Sequence, residues 1–437
     1  MNDIIEYIIR FLLGDTATAD IASKVGYTAD PKEFKKYLLV IKPSTFFDED
    51  VYGTDASLPN LPLVIWEETP MLFGEAVVEK IGKTIILHAD LIAGTYFLIS
   101  RYEEMVRRDC RDAHGRFFGV ESLPYRAGFI DRPLVEEYGR LLRAQLREAG
   151  CEVSEPAKQI KKLFLTHDID QLSHYRNIRG MLGGLLRGLR WPKEGNAAFK
   201  SFFIGLKFDP WFTLPWLFTK DNSVRKILGK SRCETIVFIR GGGGLRKEDK
   251  PIMLYLHPDF KALVNLCKKE KAKIGLHASY EAGISPSRIL SEKKNLENHT
   301  KTHINYNRHH FLDTREPEDM QALIDAHITD DFSMGYADIA GFRIGTCRSV
   351  RWINPATRQL TSLFLHPLTI MDATLSDKRY MYMNAFDAYN YCTLLFDEVE
   401  KYNGELVLLW HNTSVENKMT TYHRKLYEDL MEYLKKK

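Results

Sequence analysis

The sequence is poor in cysteine, with only six in 437 residues and no CxxC pair among them. They lie far apart along the chain, at Cys110, Cys151, Cys233, Cys267, Cys347 and Cys392. Scattered cysteines in a chain of this length are typical of reduced thiols in a cytosol and argue against a disulfide framework.

Long hydrophobic runs are also absent. No apolar stretch approaches the ~20 residues that a bilayer-spanning helix needs. The first 14 residues have no basic start and no small-residue cleavage site, and Glu6 and Arg10 interrupt their apolar run. They predict an amphipathic helix that begins near Asp3 and ends at Gly14, not a signal peptide. We therefore expect a cytoplasmic protein.

The charge of the chain has little bias, since the formal net charge is only +3. An apolar content of 44% with 27% charged residues indicates a globular protein, and the length predicts two domains. The segment Cys151 to Ala157, with Pro156, has the character of a linker, which predicts an N-terminal α+β accessory domain at 1–157 and a second domain at 158–437. The four glycines Gly241 to Gly244 lack the Lys-Ser/Thr of a phosphate loop and are interpreted as a flexible turn.

From residue 160 onward, strand-like runs alternate with helical patterns. The runs are 162–166, 235–239, 273–277, 302–306, 338–343, 363–370 and 405–410. About seven strands in this rhythm favour a parallel β/α architecture, either a barrel or an open sheet. Polar residues follow nearly every run, which favours a barrel whose active site lies at the carboxyl ends of the strands.

Residues 171–232 interrupt this rhythm. The segment has 12 Lys/Arg against 3 Asp/Glu and contains ten aromatic residues. Two interpretations remain open: its aromatic residues form a lid over the barrel and its basic face is solvated, or the segment lies on the anionic inner face of a membrane. We expect no nucleic-acid partner.

Candidate catalytic residues follow the strand-like runs. Asp168 and Asp170 are two residues apart at the end of the first run, so that one carboxylate could bind a metal while the other accepts a proton. His277 ends the third run, and Glu281 follows at helical spacing as a further possible metal ligand. After the fourth run come His309 and His310, of which His310 is the expected cleft residue because neighbouring strand residues point to opposite faces.

Later runs add two arginines, a carboxylate and an imidazole. Arg343 is expected to orient a catalytic aspartate, and Arg348 to bind an anionic substrate group. Asp372 is positioned to orient an imidazole. His411, after a fully apolar run, is placed as a general acid for a leaving amine.

These residues together resemble a polysaccharide deacetylase of the carbohydrate esterase family 4 superfamily, in a divergent branch with an extra N-terminal domain. Five segments carry the resemblance in order: Leu165-Thr166-His167-Asp168-Ile169-Asp170, Gly275-Leu276-His277-Ala278-Ser279-Tyr280, Gly341-Phe342-Arg343, Met371-Asp372-Ala373-Thr374-Leu375 and Leu409-Trp410-His411-Asn412. Phe97 to Glu104 and Arg132 to Val135 resemble the accessory domain of that branch. The resemblance implies a distorted (β/α)7 barrel, a divalent metal, most often zinc, and an N-acetylated sugar as substrate.

By the same resemblance, Asp170 and His277 bind the metal and Asp168 is the base that activates metal-bound water. Arg343 positions Asp168, and His411 protonates the departing amine. We further predict that Arg308, Arg348, Trp410 and Tyr280 contact the substrate, which could be a surface polysaccharide or its lipid-linked precursor.

The chain departs from the family pattern at Glu281, where the second metal histidine normally stands. Either Glu281 replaces it or His310 supplies the third ligand. The departures leave room for a catalytically silent carbohydrate-binding barrel, or for a metal-dependent hydrolase of phosphoesters or other amides. All enzymatic interpretations require Asp170 to lie within about 8 Å of His277, because each ligand stands ~2 Å from a bound zinc.

Overall fold

The computed structural model describes residues 1–15, 18–244, 246–416 and 421–437. The N-terminal region forms a four-stranded sheet covered by helices. Its elements in chain order are α1 (Asn2–Leu13), α2 (Ala19–Ser23), β1 (Val25–Tyr27), α3 (Pro31–Phe34), β2 (Leu39–Ile41), β3 (Val64–Trp66), β4 (Thr69–Met71), β5 (Gly74–Ile81), β6 (Thr84–Ala89), α4 (Leu91–Ile99), α5 (Tyr102–Val106), α6 (Leu123–Arg126) and α7 (Leu134–Glu148). The sheet order is β1-β2-β6-β5, with β5 antiparallel to β6, and β3 and β4 form a separate hairpin.

The second region alternates strands and helices. Its elements are β7 (Lys162–Ile169), α8 (Ile178–Gly188), α9 (Pro192–Phe199), α10 (Leu214–Leu228), β8 (Cys233–Arg240), α11 (Pro258–Glu270), β9 (Lys273–Ala278), α12 (Tyr280–Ile284), α13 (Ile289–Thr300), β10 (Tyr306–His309), α14 (Glu318–Asp325), β11 (Asp330–Met334), β12 (Val350–Asn354), β13 (Gln359–Met371), α15 (Asp372–Ser376), α16 (Ala385–Lys401), β14 (Glu405–Leu409) and α17 (His423–Leu434).

Seven of these strands close into a parallel barrel. Neighbours pair in the order β7-β8-β9-β10-β11-β13-β14, and β14 pairs with β7 to complete the ring. Strand β12 stands outside the ring as an antiparallel partner of β13. The predicted (β/α)7 barrel is confirmed, and its parallel strands bring their carboxyl ends to one mouth.

Two of the predicted strands differ from the structure. The run 338–343 is a loop, and the fifth barrel strand is instead β11, whose sequence Asp-Asp-Phe-Ser-Met lacks an apolar pattern. Asp331 and Ser333 are buried there because the hydroxyl of Ser333 donates a hydrogen bond to Asp331, which also accepts one from the side-chain amide of Asn307 on β10. The fourth strand begins at Tyr306, so most of the run 302–306 precedes it.

The N-terminal region packs on the outside of the barrel through apolar and charged contacts. One continuous hydrophobic core includes side chains from both regions. Within the interface, Arg101 and Glu104 of the α5 segment are buried against Glu316 and Arg343 of the barrel. Such buried charges are tolerated because each one has an opposite partner.

The segment 171–232 divides into two parts with different surroundings. Leu214, Leu217 and Phe218 of α10 are buried against the barrel, and Trp211 donates a hydrogen bond from Nε1 to Glu416. Helices α8 and α9 instead carry apolar side chains on their outer surface. Helix α10 thus packs on the outer face of the barrel as the connection between β7 and β8, while α8 and α9 are left with an exposed apolar surface. In the described parts of the chain, no helix combines the length and apolar content needed to cross a bilayer.

Candidate functional site

The candidate site lies at the mouth of the barrel and is built from the ends of four strands. Asp168 and Asp170 come from the end of β7, and His277 comes from β9. His310 follows β10, and His411 follows β14. Parallel strands bring these separated segments to one edge, as the positions of the polar residues predict.

The side chains of β7 alternate between the two faces of the strand, and this alternation decides which of them enter the site. Thr166 and Asp168 point inward, where Arg308 donates hydrogen bonds to both. His167 points outward and lies 3.0 Å from Asp221 of α10 through Nε2. Since strand side chains alternate between faces, the two aspartates of the segment share the inner face while His167 anchors the covering helix.

Three side chains bring ligand atoms together as a metal site would. The ligand atoms of Asp170, His277 and His310 all lie within 4.8 Å of one another. Oδ1 of Asp170 is 3.2 Å from Nε2 of His277 and 3.4 Å from Nε2 of His310. The separation of Asp170 and His277 is therefore well inside the limit that two ligands of the same zinc ion allow.

Hydrogen bonds fix the tautomers of both histidines. Nδ1–H of His277 donates to the carbonyl oxygen of Arg308 at 2.9 Å, and Nδ1–H of His310 donates to Oδ1 of Asp249 at 3.1 Å. Each bond leaves the Nε2 lone pair directed at the cluster. Imidazoles that bind metals in proteins are usually held in this way by a carbonyl or carboxylate behind the ring.

Two buried atoms of the cluster lack a partner. Oδ1 of Asp170 and Nε2 of His277 form no hydrogen bond with any described residue. Burial alone would raise the pKa of Asp170, but His310, His277 and His411 hold its pKa well below the ordinary value. A buried carboxylate oxygen and a buried lone pair without partners are unfavourable unless a cation binds them, so the donor set fits a divalent metal.

Asp249 is a site residue that the sequence interpretation missed. It lies in the loop after β8, where it also accepts hydrogen bonds from the backbone N–H groups of Tyr280 and Glu281. The preceding glycines permit this position: Gly243 has a φ of +85°, and a Cβ there would lie 2.7 Å from the Asp249 side chain. The glycine run is thus a close-packing element and not simply a flexible turn.

Asp168 is held by Arg308 and not by Arg343. Nη1 of Arg308 lies 2.9 Å from Oδ1 of Asp168, and the guanidinium is fully buried. Arg343 instead forms a two-pronged pair with Glu104, at 2.8 Å and 2.7 Å. The expected contact between Arg343 and Asp168 is therefore wrong, and burial also makes Arg308 unsuited to the substrate contact predicted for it.

His411 and Asp372 form a second buried pair beside the cluster. Nδ1–H of His411 donates to Oδ1 of Asp372 at 2.7 Å, while Nε2 faces Oδ2 of Asp170 at 3.7 Å. Burial lowers the pKa of His411, but Asp372, Asp170 and Asp168 outweigh it and raise the pKa to about 10. The imidazole is thus oriented with a protonated Nε2 toward the cavity.

The remaining predicted residues lie outside the cluster. Glu281 pairs with Arg288 at 2.8 Å, so His310 and not Glu281 completes the set of ligand atoms. Arg348 pairs with Glu136 in the N-terminal interface, and Trp410 is fully buried against α17, so neither reaches the cavity. Tyr280 lies behind Phe311, with ring centroids 5.4 Å apart, and does not line the cavity.

A cavity of about 190 Å³ opens over these groups. Asp168, Asp170, His277, His310 and His411 form its floor. Its walls include three polar side chains that the sequence interpretation did not single out: Arg116, Arg379 and Tyr380. Arg116 belongs to the N-terminal region and donates a hydrogen bond to the hydroxyl of Tyr380, so both regions of the chain build the cavity.

Residues 2–150 match DUF7033, a family of unknown function. No curated protein matches the chain. Solved structures similar to it at low identity include the following two. One is a protein from Mycobacterium smegmatis provisionally named a polysaccharide deacetylase, with a TM-score of 0.40 and 13% identity over 64% of this chain and 86% of that chain. The other is PuuE allantoinase, with a TM-score of 0.39 and 11% identity over 66% and 89% of the two chains.

Proposed function

We propose that the chain is a metal-dependent hydrolase that removes an N-acetyl group from a sugar of a surface polysaccharide or its lipid-linked precursor. One observation carries the proposal: the convergence of Asp170, His277 and His310 at the mouth of the barrel, with both imidazole tautomers fixed for metal binding. The five ordered sequence segments direct the choice among hydrolases toward sugar deacetylation.

Asp170, His277 and His310 would hold the metal. Two imidazoles and one carboxylate are the donor set that catalytic zinc commonly takes in proteins, with further positions left open. When bound, zinc would supply Lewis-acid polarisation of the acetamide carbonyl and lower the pKa of water.

Asp168 is the proposed base. Arg308 holds its Oδ1, and its Oδ2 lies 3.6 Å from Nε2 of His277 at the cavity floor. Oδ2 can therefore accept the proton of a water that attacks the acetamide carbonyl. The buried guanidinium fixes the carboxylate, so little reorganisation accompanies proton transfer.

His411 is the proposed acid. Asp372 fixes its ring from behind, which leaves Nε2–H to donate a proton to the amine nitrogen as the C–N bond breaks. Water then contributes its oxygen to acetate, one of its protons goes to Asp168, and the sugar leaves as a free amine. The base lies on β7 and the acid follows the neighbouring strand β14, with Nε2 of His411 3.7 Å from Oδ2 of Asp170.

The cavity volume limits what can enter. A space of about 190 Å³ is below the range of ordinary ligand pockets and suits an acetamido group better than a whole oligosaccharide. The sugar ring would then lie at the rim, against Arg379 and Tyr380.

The test is acetate release from N-acetylglucosamine oligosaccharides by zinc-loaded protein, with metal content measured on the same samples. We expect about one zinc per chain, acetate release by the wild type, and loss of release at retained zinc content in Asp168→Asn. Asp170→Asn and His310→Gln should lose the metal itself. Glu281→Gln is the matched control, since its carboxylate pairs with Arg288 outside the cluster, and it should keep both properties.

Two results would contradict the proposal. If the protein binds stoichiometric zinc and hydrolyses phosphate esters but releases no acetate from any N-acetylated sugar, it is a phosphoester hydrolase. If the wild type purifies without stoichiometric metal, and if the wild type and Asp168→Asn bind sugars equally well, the chain is a silent carbohydrate-binding barrel.

A further inference from the structure

Helix α8 carries an apolar stripe that faces solvent. Ile178, Leu182, Leu186 and Leu189 recur at helical spacing and are 67%, 51%, 69% and 87% exposed. Such a stripe normally faces a protein core, because burying one large aliphatic side chain is worth roughly 1.5–3 kcal/mol. Here the stripe has no protein partner among the described residues.

The inner side of α8 shows that this orientation is built into the fold. Small residues face α9: a Cβ on Gly184 would lie 2.5 Å from Cβ of Ala198, and one on Gly188 would lie 2.6 Å from Cα of Gly195. The two helices thus pack closely through glycine and alanine. Rotating α8 to bury its leucines would force these close contacts apart, so the large apolar residues are held outward.

The exposed surface continues beyond α8. Trp191, Phe199, Phe203 and Ile204 are 58%, 50%, 61% and 57% exposed along α9 and the turn after it. On the other side, the loop after β8 adds Ile252, Leu254 and Leu256 at 51%, 57% and 92%. We call all of these residues, with the α8 stripe, the apolar face. Exposed apolar surface of this extent is uncommon on a monomer and marks an interaction site.

Basic side chains border the apolar face. Arg179, Arg190, Lys193, Lys200 and Lys207 form no ion pair with a carboxylate of the described residues. Arg187 is paired with Glu194, and Arg176 with Asp259. The surface therefore combines apolar side chains with five uncompensated cations.

The apolar face adjoins the mouth of the barrel. A second cavity, of about 400 Å³, is lined by Asp170 at one end and by Arg179, Ile252 and Leu254 at the other. A molecule anchored in whatever covers the apolar face could thus extend directly toward the candidate metal site.

We propose that the apolar face docks on an anionic lipid bilayer. Aliphatic side chains and an exposed tryptophan suit the boundary between headgroups and acyl chains, and the flanking cations suit anionic headgroups. The uncompensated positive charge disfavours a second copy of this chain as the occupant, because two such faces would repel each other. Nucleic acid would leave the leucine stripe exposed.

Vesicle flotation of the full chain tests the proposal. We expect the protein to float with phosphatidylcholine vesicles that contain one-third phosphatidylglycerol, to float poorly with phosphatidylcholine alone, and to be released in part by high salt. Leu182→Glu with Leu186→Glu, and separately Arg179→Gln with Arg190→Gln, should each lower the partition coefficient at least about tenfold.

Two controls separate docking from nonspecific adhesion. Phe386→Glu changes an aromatic residue that is 73% exposed on α16, outside the apolar face, and should float like the wild type. Trp191 gives an independent readout, since brominated lipids should quench the wild type more than Trp191→Phe. Circular dichroism checks that each variant is folded.

Three outcomes would overturn the proposal: no binding to anionic vesicles, equal binding by the leucine variant, or a wild-type dimer that the leucine variant makes monomeric without any vesicle binding. Because flotation is read without catalysis, these outcomes do not depend on whether the protein deacetylates sugars.

Discussion

Each of the three imidazoles around Asp170 forms a hydrogen bond through Nδ1 that fixes the orientation of its ring. His277 is held by a backbone carbonyl, His310 by Asp249 and His411 by Asp372. The carboxylate of Asp372 and its neighbours raise the pKa of His411 to about 10. The bonds thus divide the imidazoles into two with free lone pairs and one with a proton to donate.

The first prediction concerns the pair of Asp372 and His411. Asp372→Asn should lower kcat for deacetylation by roughly 100-fold or more, with KM and zinc content nearly unchanged, because the imidazole loses the carboxylate that orients and charges it. The activity of the variant on an aryl acetate ester, whose leaving group needs no proton, should fall much less. A uniform loss on amide and ester substrates would contradict an acid role for His411.

The second prediction concerns His366, at the opposite end of the barrel. It is buried between Asp330 and Glu405, at 3.0 Å and 2.9 Å. Burial lowers its pKa, but the two carboxylates outweigh it and raise the pKa to about 9 from the ordinary 6.5. Since the folded state binds this proton more tightly, the stabilisation is complete below pH 6.5 and is lost as the pH rises through 9.

Urea unfolding between pH 6 and pH 10 measures the effect. His366→Gln should be less stable than the wild type at pH 6, and the difference in free energy of unfolding between the two proteins should shrink by about 3 kcal/mol by pH 10. The comparison isolates His366 because His411, whose pKa is also raised, titrates in both proteins. His303→Gln is the control, since that histidine is 71% exposed and should leave the curve unchanged.

At the scale of elements, the contact between α5 and the loop after β11 holds the two regions together. Arg343 and Glu104 are 2% and 3% exposed, and Glu104 also pairs with Arg101. Burial would raise the pKa of Glu104, but the two guanidinium groups hold its pKa well below the ordinary value. Removing one partner of such a pair leaves a buried charge without compensation.

The third prediction follows from this pair. Arg343→Met should reduce the free energy of unfolding by about 3–5 kcal/mol. Arg108→Met is a matched control, because Arg108 pairs with Glu318 across the same two regions but both side chains are about half exposed. Its effect should stay below about 1 kcal/mol. Equal losses in urea unfolding would contradict the role of burial.

The sequence predicted the elements that have an apolar pattern and failed where burial depends on hydrogen bonds. Strands β7 and β14 were evident from their apolar runs, and Asp170 and His277 followed from the strand ends. Strand β11 was missed because its buried polar residues satisfy each other. The contact predicted between Arg343 and Asp168 is made by Arg308 instead, because a sequence does not show that Arg308 points into the barrel while Arg343 lies in a loop against Glu104.

Loop residues were the other group that the sequence could not supply. Asp249 and Arg116 follow no apolar run, and each reaches the site through a turn whose path depends on tertiary packing. The glycines before Asp249 were visible in the sequence, but their purpose becomes clear only from the atoms that a Cβ would meet.

At the scale of the whole molecule, the N-terminal region contributes to the site through Arg116. Its guanidinium pairs with Asp112, donates to the carbonyl of Phe311 at 3.2 Å and donates to the hydroxyl of Tyr380 at 3.1 Å. It thereby connects the N-terminal region to two segments that line the cavity. If the sugar ring lies at this rim, the N-terminal region participates in substrate binding as well as in stability.

The fourth prediction tests this participation. Arg116→Met keeps an unbranched stem and removes the guanidinium with its hydrogen bonds, so KM should rise roughly 10-fold or more while kcat changes little, since charge-assisted hydrogen bonds contribute ~1.5–3 kcal/mol. Arg126→Met alters an arginine of the same region that pairs with Glu103 outside the cavity, and it should leave both constants unchanged. A fall in kcat with constant KM would instead indicate that Arg116 positions the catalytic groups through Tyr380.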